Sequence, residues 1–96
     1  MPQTTKISKN NTRVYKDAEG YTNVTLYNTT VVRFNESTII LNSDGWQTST
    51  TRNRMNQTSN QMELGYNVYS NKGKWQVIYQ GRKLIDYKDN MIIARV

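Results

Sequence analysis

Neither cysteine nor histidine occurs among the 96 residues. Those two absences exclude thiol nucleophiles, disulfides, thiolate or imidazole metal sites and serine–histidine triads together. Acidic residues are scarce, seven against thirteen Lys and Arg, and none falls between Asp44 and Glu63. Paired carboxylates for acid–base chemistry would have to come from Asp17, Glu19, Asp86 or Asp89, all in or near turn sequences. Asp86-Tyr87-Lys88 has the form of the last element of a metal-dependent nuclease site, but no earlier acidic residue stands in suitable context. The expectation is a protein that is not an enzyme and needs no metal or cofactor.

Long apolar runs are missing too. No stretch approaches the roughly 20 residues that a membrane span requires, and MPQTTKISKNNT at the N-terminus lacks a signal-peptide core. A cytoplasmic protein without a membrane partner is expected. Apolar residues make up only 35% of the chain, so the core must be thin. A chain of this length has room for one domain and gains stability by association, which makes a homo-oligomer the expected state. We divide it into a flexible basic arm over residues 1–11 and a single domain over 12–96.

What is present is β-branched, aromatic and positively charged. The net charge of +6 points to an acidic partner: nucleic acid, a nucleotide or an acidic protein surface. From Thr12 the pattern has the period of two expected of strands, rich in Val, Ile, Thr and Tyr. Strands are predicted around Arg13–Tyr15, Tyr21–Tyr27, Thr30–Phe34 and Thr38–Leu41, separated by turn residues. A second set follows at Tyr66–Ser70, Lys74–Gln80, Lys83–Tyr87 and Met91–Val96, read as a C-terminal meander. Between the two sets, one helix is predicted from near Thr50 or Thr51, with Thr48, Ser49 or Thr50 as N-cap, to a stop at Gly65. Its face of Thr51, Met55, Thr58, Ser59 and Met62 would press onto the sheet. The predicted class is α+β and mainly antiparallel β: a curved sheet or small open barrel of about seven or eight strands on one helix, in the order ββββαββββ.

The stretch Leu41–Gln57, LNSDGWQTSTTRNRMNQ, carries the strongest chemical signal. A helix N-terminus beside several hydroxyls and two arginines suits phosphate or carboxylate, because unpaired N–H groups and guanidinium forks both favour anions. Thr50, Thr51, Arg52 and Arg54 are the candidate anion ligands, and Asn56 and Gln57 the candidate readers of a base edge. The same hydroxyls could merely cap the helix, and Arg52 could pair with Glu63 or Asp44. Trp46, beside Gly45, is expected to pack across the end of the core rather than to serve as a stacking platform. An alternative surface for single-stranded nucleic acid would combine Trp75 and Tyr79 as stacking rings with Arg82 and Lys83 as cations.

The string LNS, Gly-Trp, T, TT and RMNQ over residues 41–57 resembles a signature of a family of small tailed-bacteriophage proteins, and the similarity continues through Leu64-Gly65-Tyr66 and Trp75. Asp44 stands where a second glycine is expected and Asn53 where a basic residue is usual. The resemblance implies a phage accessory protein in the host cell that acts by occupying something. Three roles follow: capture of an anionic nucleotide, such as a cyclic nucleotide signal of host defence; binding of single-stranded nucleic acid; or inhibition of a host protein.

Overall fold

The computed structural model describes Ile7 and residues 11–95. Apart from Ile7 and Asn11, the basic arm expected over residues 1–11 lies outside them. Eight strands and one helix follow in the predicted order: β1 (Thr12–Lys16), β2 (Thr22–Leu26), β3 (Thr29–Phe34), β4 (Thr38–Leu41), α1 (Ser49–Met62), β5 (Tyr66–Asn71), β6 (Lys74–Tyr79), β7 (Lys83–Asp86) and β8 (Met91–Ala94). The fold is α+β, with antiparallel pairing throughout, and it is not closed into a barrel.

Two sheets form rather than one. The first has the order β1-β2-β3-β4-β8 and the second β5-β6-β7. The expected C-terminal meander therefore stops at β7. The last strand crosses to β4 in the register Thr38↔Ala94 to Leu41↔Met91. Burial explains the exchange, since this pairing sets Ile93 beside Ile39 and both are buried in the core. Hydrogen bonds from Ser43 and Gly45 to Asp89 draw the β7–β8 turn toward the end of β4.

Strand β2 departs from simple alternation. Asn23, Val24, Thr25 and Leu26 are all buried, and a register shift against β3 falls between Val24 and Thr25. Strand β6 keeps its period, with Trp75, Val77 and Tyr79 in the core. The β1–β2 turn is organised by Asp17, which accepts the backbone N–H groups of Glu19 and Tyr21 and the side chains of Asn23 and Arg33. The Arg33 guanidinium also lies 4.0 Å from the Tyr21 ring centroid. Led by the Asn23 hydrogen bond, and against a smaller opposing effect of burial, these donors hold the Asp17 carboxyl at about 2, below its usual 3.8. A depressed carboxyl stabilises the fold above its unfolded-state value, and that contribution disappears as pH falls from 3.8 toward 2. Thermal unfolding across this window should show Asp17→Asn losing less stability on acidification than the parent chain. Parallel acid limbs for the two proteins would contradict this.

The helix is polar but buried. Of the three candidates Thr48, Ser49 and Thr50, Thr48 is its N-cap; its side chain accepts the Thr51 N–H at 3.2 Å. The helix ends before Gly65, with Glu63 in the left-handed region as C-cap and Leu64 N–H bonded to the Ser59 carbonyl at 2.9 Å. Thr51, Met55, Thr58 and Ser59 are buried as predicted, but Arg54, Asn56 and Gln57 are buried too. The wider face reflects what it packs on, the free edge of β5. The Asn56 amide donates to the Val68 carbonyl at 2.8 Å and accepts the Val68 N–H at 2.7 Å. The Ser59 hydroxyl does the same for Tyr66, at 2.7 and 3.0 Å. Two helix side chains thus replace a neighbouring strand at alternate residues of β5, where unpaired backbone groups would otherwise be buried.

Candidate functional site

A cleft of about 590 Å³ opens where the β2–β3 hairpin meets the segment leading into α1. That size falls in the range of small-molecule sites. Leu26 and Val31 form part of its apolar lining, and Tyr27, Trp46, Thr48, Thr50 and Thr51 bring rings and hydroxyls.

Each group reaches the cleft for a local reason. Tyr27 and Asn28 form the two-residue connection between β2 and β3, where backbone twist calls for positive φ. Tyr27 has φ 54, a strained setting for an aromatic residue. It is held there by its N–H bond to the Asn11 carbonyl at 2.7 Å and by the Asn11 amide, which donates to its hydroxyl at 3.2 Å. On the other side, Ser43, Asp44 and Gly45 turn the chain out of β4, with Asp44 at φ 51 and Gly45 at φ 80. The Asp89 carboxylate pins this turn. It accepts the Ser43 N–H at 3.0 Å, the Ser43 hydroxyl at 2.6 Å, the Gly45 N–H at 2.9 Å and the Tyr87 hydroxyl at 2.7 Å. Burial works against the charge on Asp89, but these donors outweigh it and hold the carboxyl below its usual value. Burial first, and the neighbouring carboxylate second, push the Tyr87 hydroxyl well above its usual value.

The pinned turn presents Trp46 outward. Its exposure of 68% corrects the expectation that it packs into the core; Tyr27 is equally exposed, at 68%. The indole follows a tight turn closed by the Trp46 N–H on the Ser43 carbonyl at 2.9 Å, and this turn carries it away from the sheet. Beside it the helix begins. Thr51 and Arg52 give their N–H groups to the Thr48 side chain and carbonyl, while the earlier N–H groups of a helix have no partner within it.

The six residues singled out from the sequence divide between two environments. Thr50 and Thr51 line the cleft, Thr50 exposed and Thr51 buried. Arg52 is half-buried and lies outside the lining. Arg54 is buried, donating to the Thr12 hydroxyl at 2.9 Å and the Gln57 amide oxygen at 3.4 Å. Gln57 is buried with it, and Asn56 is engaged by Val68. The alternative set divides as well. Trp75 and Tyr79 belong to the core, Trp75 edge-on to Tyr87 with centroids 5.1 Å apart, whereas Arg82 and Lys83 are exposed at the β6–β7 connection. Their rings therefore offer no open face to a base.

Sequence reasoning missed Tyr27 and underrated Trp46. The available signal for Tyr27 was a Tyr-Asn pair in a two-residue hairpin position that glycine would normally relieve. Asp44 gave a similar signal, as a left-handed residue beside Gly45.

The structure defines a small two-sheet α+β protein with an aromatic and hydroxyl-lined cleft at the start of its helix. Residues 1–94 match the family model described as Kyanoviridae Gp96 protein, and the chain belongs to that family of phage proteins. This bears out the resemblance to a tailed-phage family drawn from the sequence. No curated protein and no solved structure matches the chain. Among the described residues, no helix is long and apolar enough to cross a membrane.

Proposed function

We propose that this phage protein is a non-catalytic binding protein that captures a nucleotide-type anion in the cleft. The observation that carries the reading is the meeting of two exposed aromatic rings, Tyr27 and Trp46, with the helix start at Thr48, Thr50 and Thr51 in one cavity. A nucleotide has two matching parts. Its base stacks on an aromatic ring, and its phosphate accepts from helix N–H groups and hydroxyls.

The lining sharpens the ligand class. Among the described residues it contains no Lys or Arg and one carboxylate, Asp44. A triphosphate would meet repulsion without a compensating cation, whereas a phosphodiester carries a single charge per phosphate. Cyclic nucleotides fit that requirement. For a phage protein, sequestering such a signal of host defence is a use that needs binding alone.

A thermal-shift series with cyclic mono-, di- and trinucleotides and with nucleoside triphosphates tests this. At least one cyclic nucleotide should raise the melting temperature more than any triphosphate does. Asp44→Asn should then bind that nucleotide about threefold to tenfold more tightly, because one nearby like charge has been removed. Asparagine also tolerates the left-handed backbone at this position. No shift with any cyclic nucleotide, or weaker binding by Asp44→Asn, would count against the proposal.

A further inference from the structure

We infer that the outer edge of β8 pairs with β8 of a second copy, joining two five-stranded sheets across a two-fold axis. Sheet edges attract strands unless something blocks them. Among the described residues the two sheets present four edges, β1, β8, β5 and β7. Asn56 and Ser59 occupy that of β5. Charges guard β1, through Arg13 and Lys16, and β7, through Lys83 and Asp86. Strand β8, MIIA, has none, and its Ile92 is the most exposed of the large apolar side chains, at 69%.

The hydrogen-bond pattern shows which groups are on offer. Arg95 donates its N–H inward to the Ser37 carbonyl at 2.9 Å. Antiparallel pairing alternates, so Ile93 also pairs inward, opposite Ile39, and the backbone groups of Ile92 and Ala94 point off the edge. A two-fold through Ile92 then lets its N–H and C=O bond reciprocally to the partner subunit's Ile92. This register keeps the buried faces of both sheets on the same side, because opposite residues in a ladder share a face. It sets Met91 against the partner's Ile93 and Ala94 against the partner's Asn90. No charge faces its like, although each chain carries +6. That self-complementarity favours a second copy over an unrelated strand.

So short a pairing lies below the roughly 1,200 Å² of a stable interface, which places its dissociation constant in the range of about 10 μM to 1 mM. Sedimentation equilibrium over a concentration series should show a monomer–dimer equilibrium in that range. Ile92→Lys places like charges together at the axis and should abolish the dimer while leaving the melting temperature of the monomer unchanged. Val14→Lys, on the opposite edge strand, should leave the dimer intact. A wild-type chain that stays monomeric throughout, a dimer that survives Ile92→Lys, or one lost in Val14→Lys would overturn the inference.

Discussion

Asn56→Ala should destabilise the fold by about 3 kcal/mol, lowering the melting temperature by roughly 15 °C. The residue lies in the middle of a helix, where alanine has the better propensity, so a local view predicts a gain of several tenths of a kcal/mol. Tertiary structure reverses the sign. Removing the amide leaves both the N–H and the C=O of Val68 without their partner on a strand edge that the helix covers. Val68 is itself buried, so water cannot readily substitute. Asn56→Asp should also be destabilising, since it keeps the acceptor for the Val68 N–H but turns a negative oxygen toward the Val68 carbonyl. The exposed Asn60, on the same helix, provides the comparison: Asn60→Ala should be neutral or mildly stabilising. Chemical denaturation of the three variants checks the set, and equal stabilities for Asn56→Ala and Asn60→Ala would show that the helix is not acting as a surrogate strand.

The second large effect is on ligand capture. Trp46→Ala should weaken nucleotide binding roughly tenfold to a hundredfold, the loss of one stacked base. Its stability should change by less than about 0.5 kcal/mol, because the side chain is mostly exposed. The combination matters more than either half. A tryptophan that packed across the core, as first expected, would cost several kcal/mol on truncation. Calorimetric titration of the variant, alongside its thermal melt, separates these cases. Strong destabilisation would restore the packing role, and unchanged affinity would remove Trp46 from the site.

The same contrast explains what could be seen in advance. Period-two patterns between Thr12 and Leu41 and again from Tyr66 disclose the strands, because side-chain direction is a local property. The passage of β8 to the first sheet depends on partners some fifty residues earlier in the chain, Leu41 beside Met91 and Ile39 beside Ile93, and no local pattern contains that choice. In the helix, Arg54, Asn56 and Gln57 invited a functional reading because a guanidinium suits an anion and side-chain amides suit a base edge. Asn56 instead serves the backbone of β5, as its neighbour on the sheet-facing side, Ser59, also does, a role that requires knowing what the helix lies upon. Thr48, Thr50 and Thr51 were legible through capping chemistry. The cleft opposite them was not, because the β2–β3 hairpin that contributes Tyr27 lies some twenty residues earlier in the chain and is brought to the helix only by folding.

The most direct measurement is a nuclear magnetic resonance titration of the isotope-labelled chain with the cyclic nucleotide that gives the largest thermal shift. The account predicts saturable shift changes concentrated at Leu26–Val31 and Ser43–Thr51, with the Trp46 indole N–H among the largest. Changes centred instead on Arg82 and Lys83, or none that saturate, would contradict the assignment of this cleft as the ligand site.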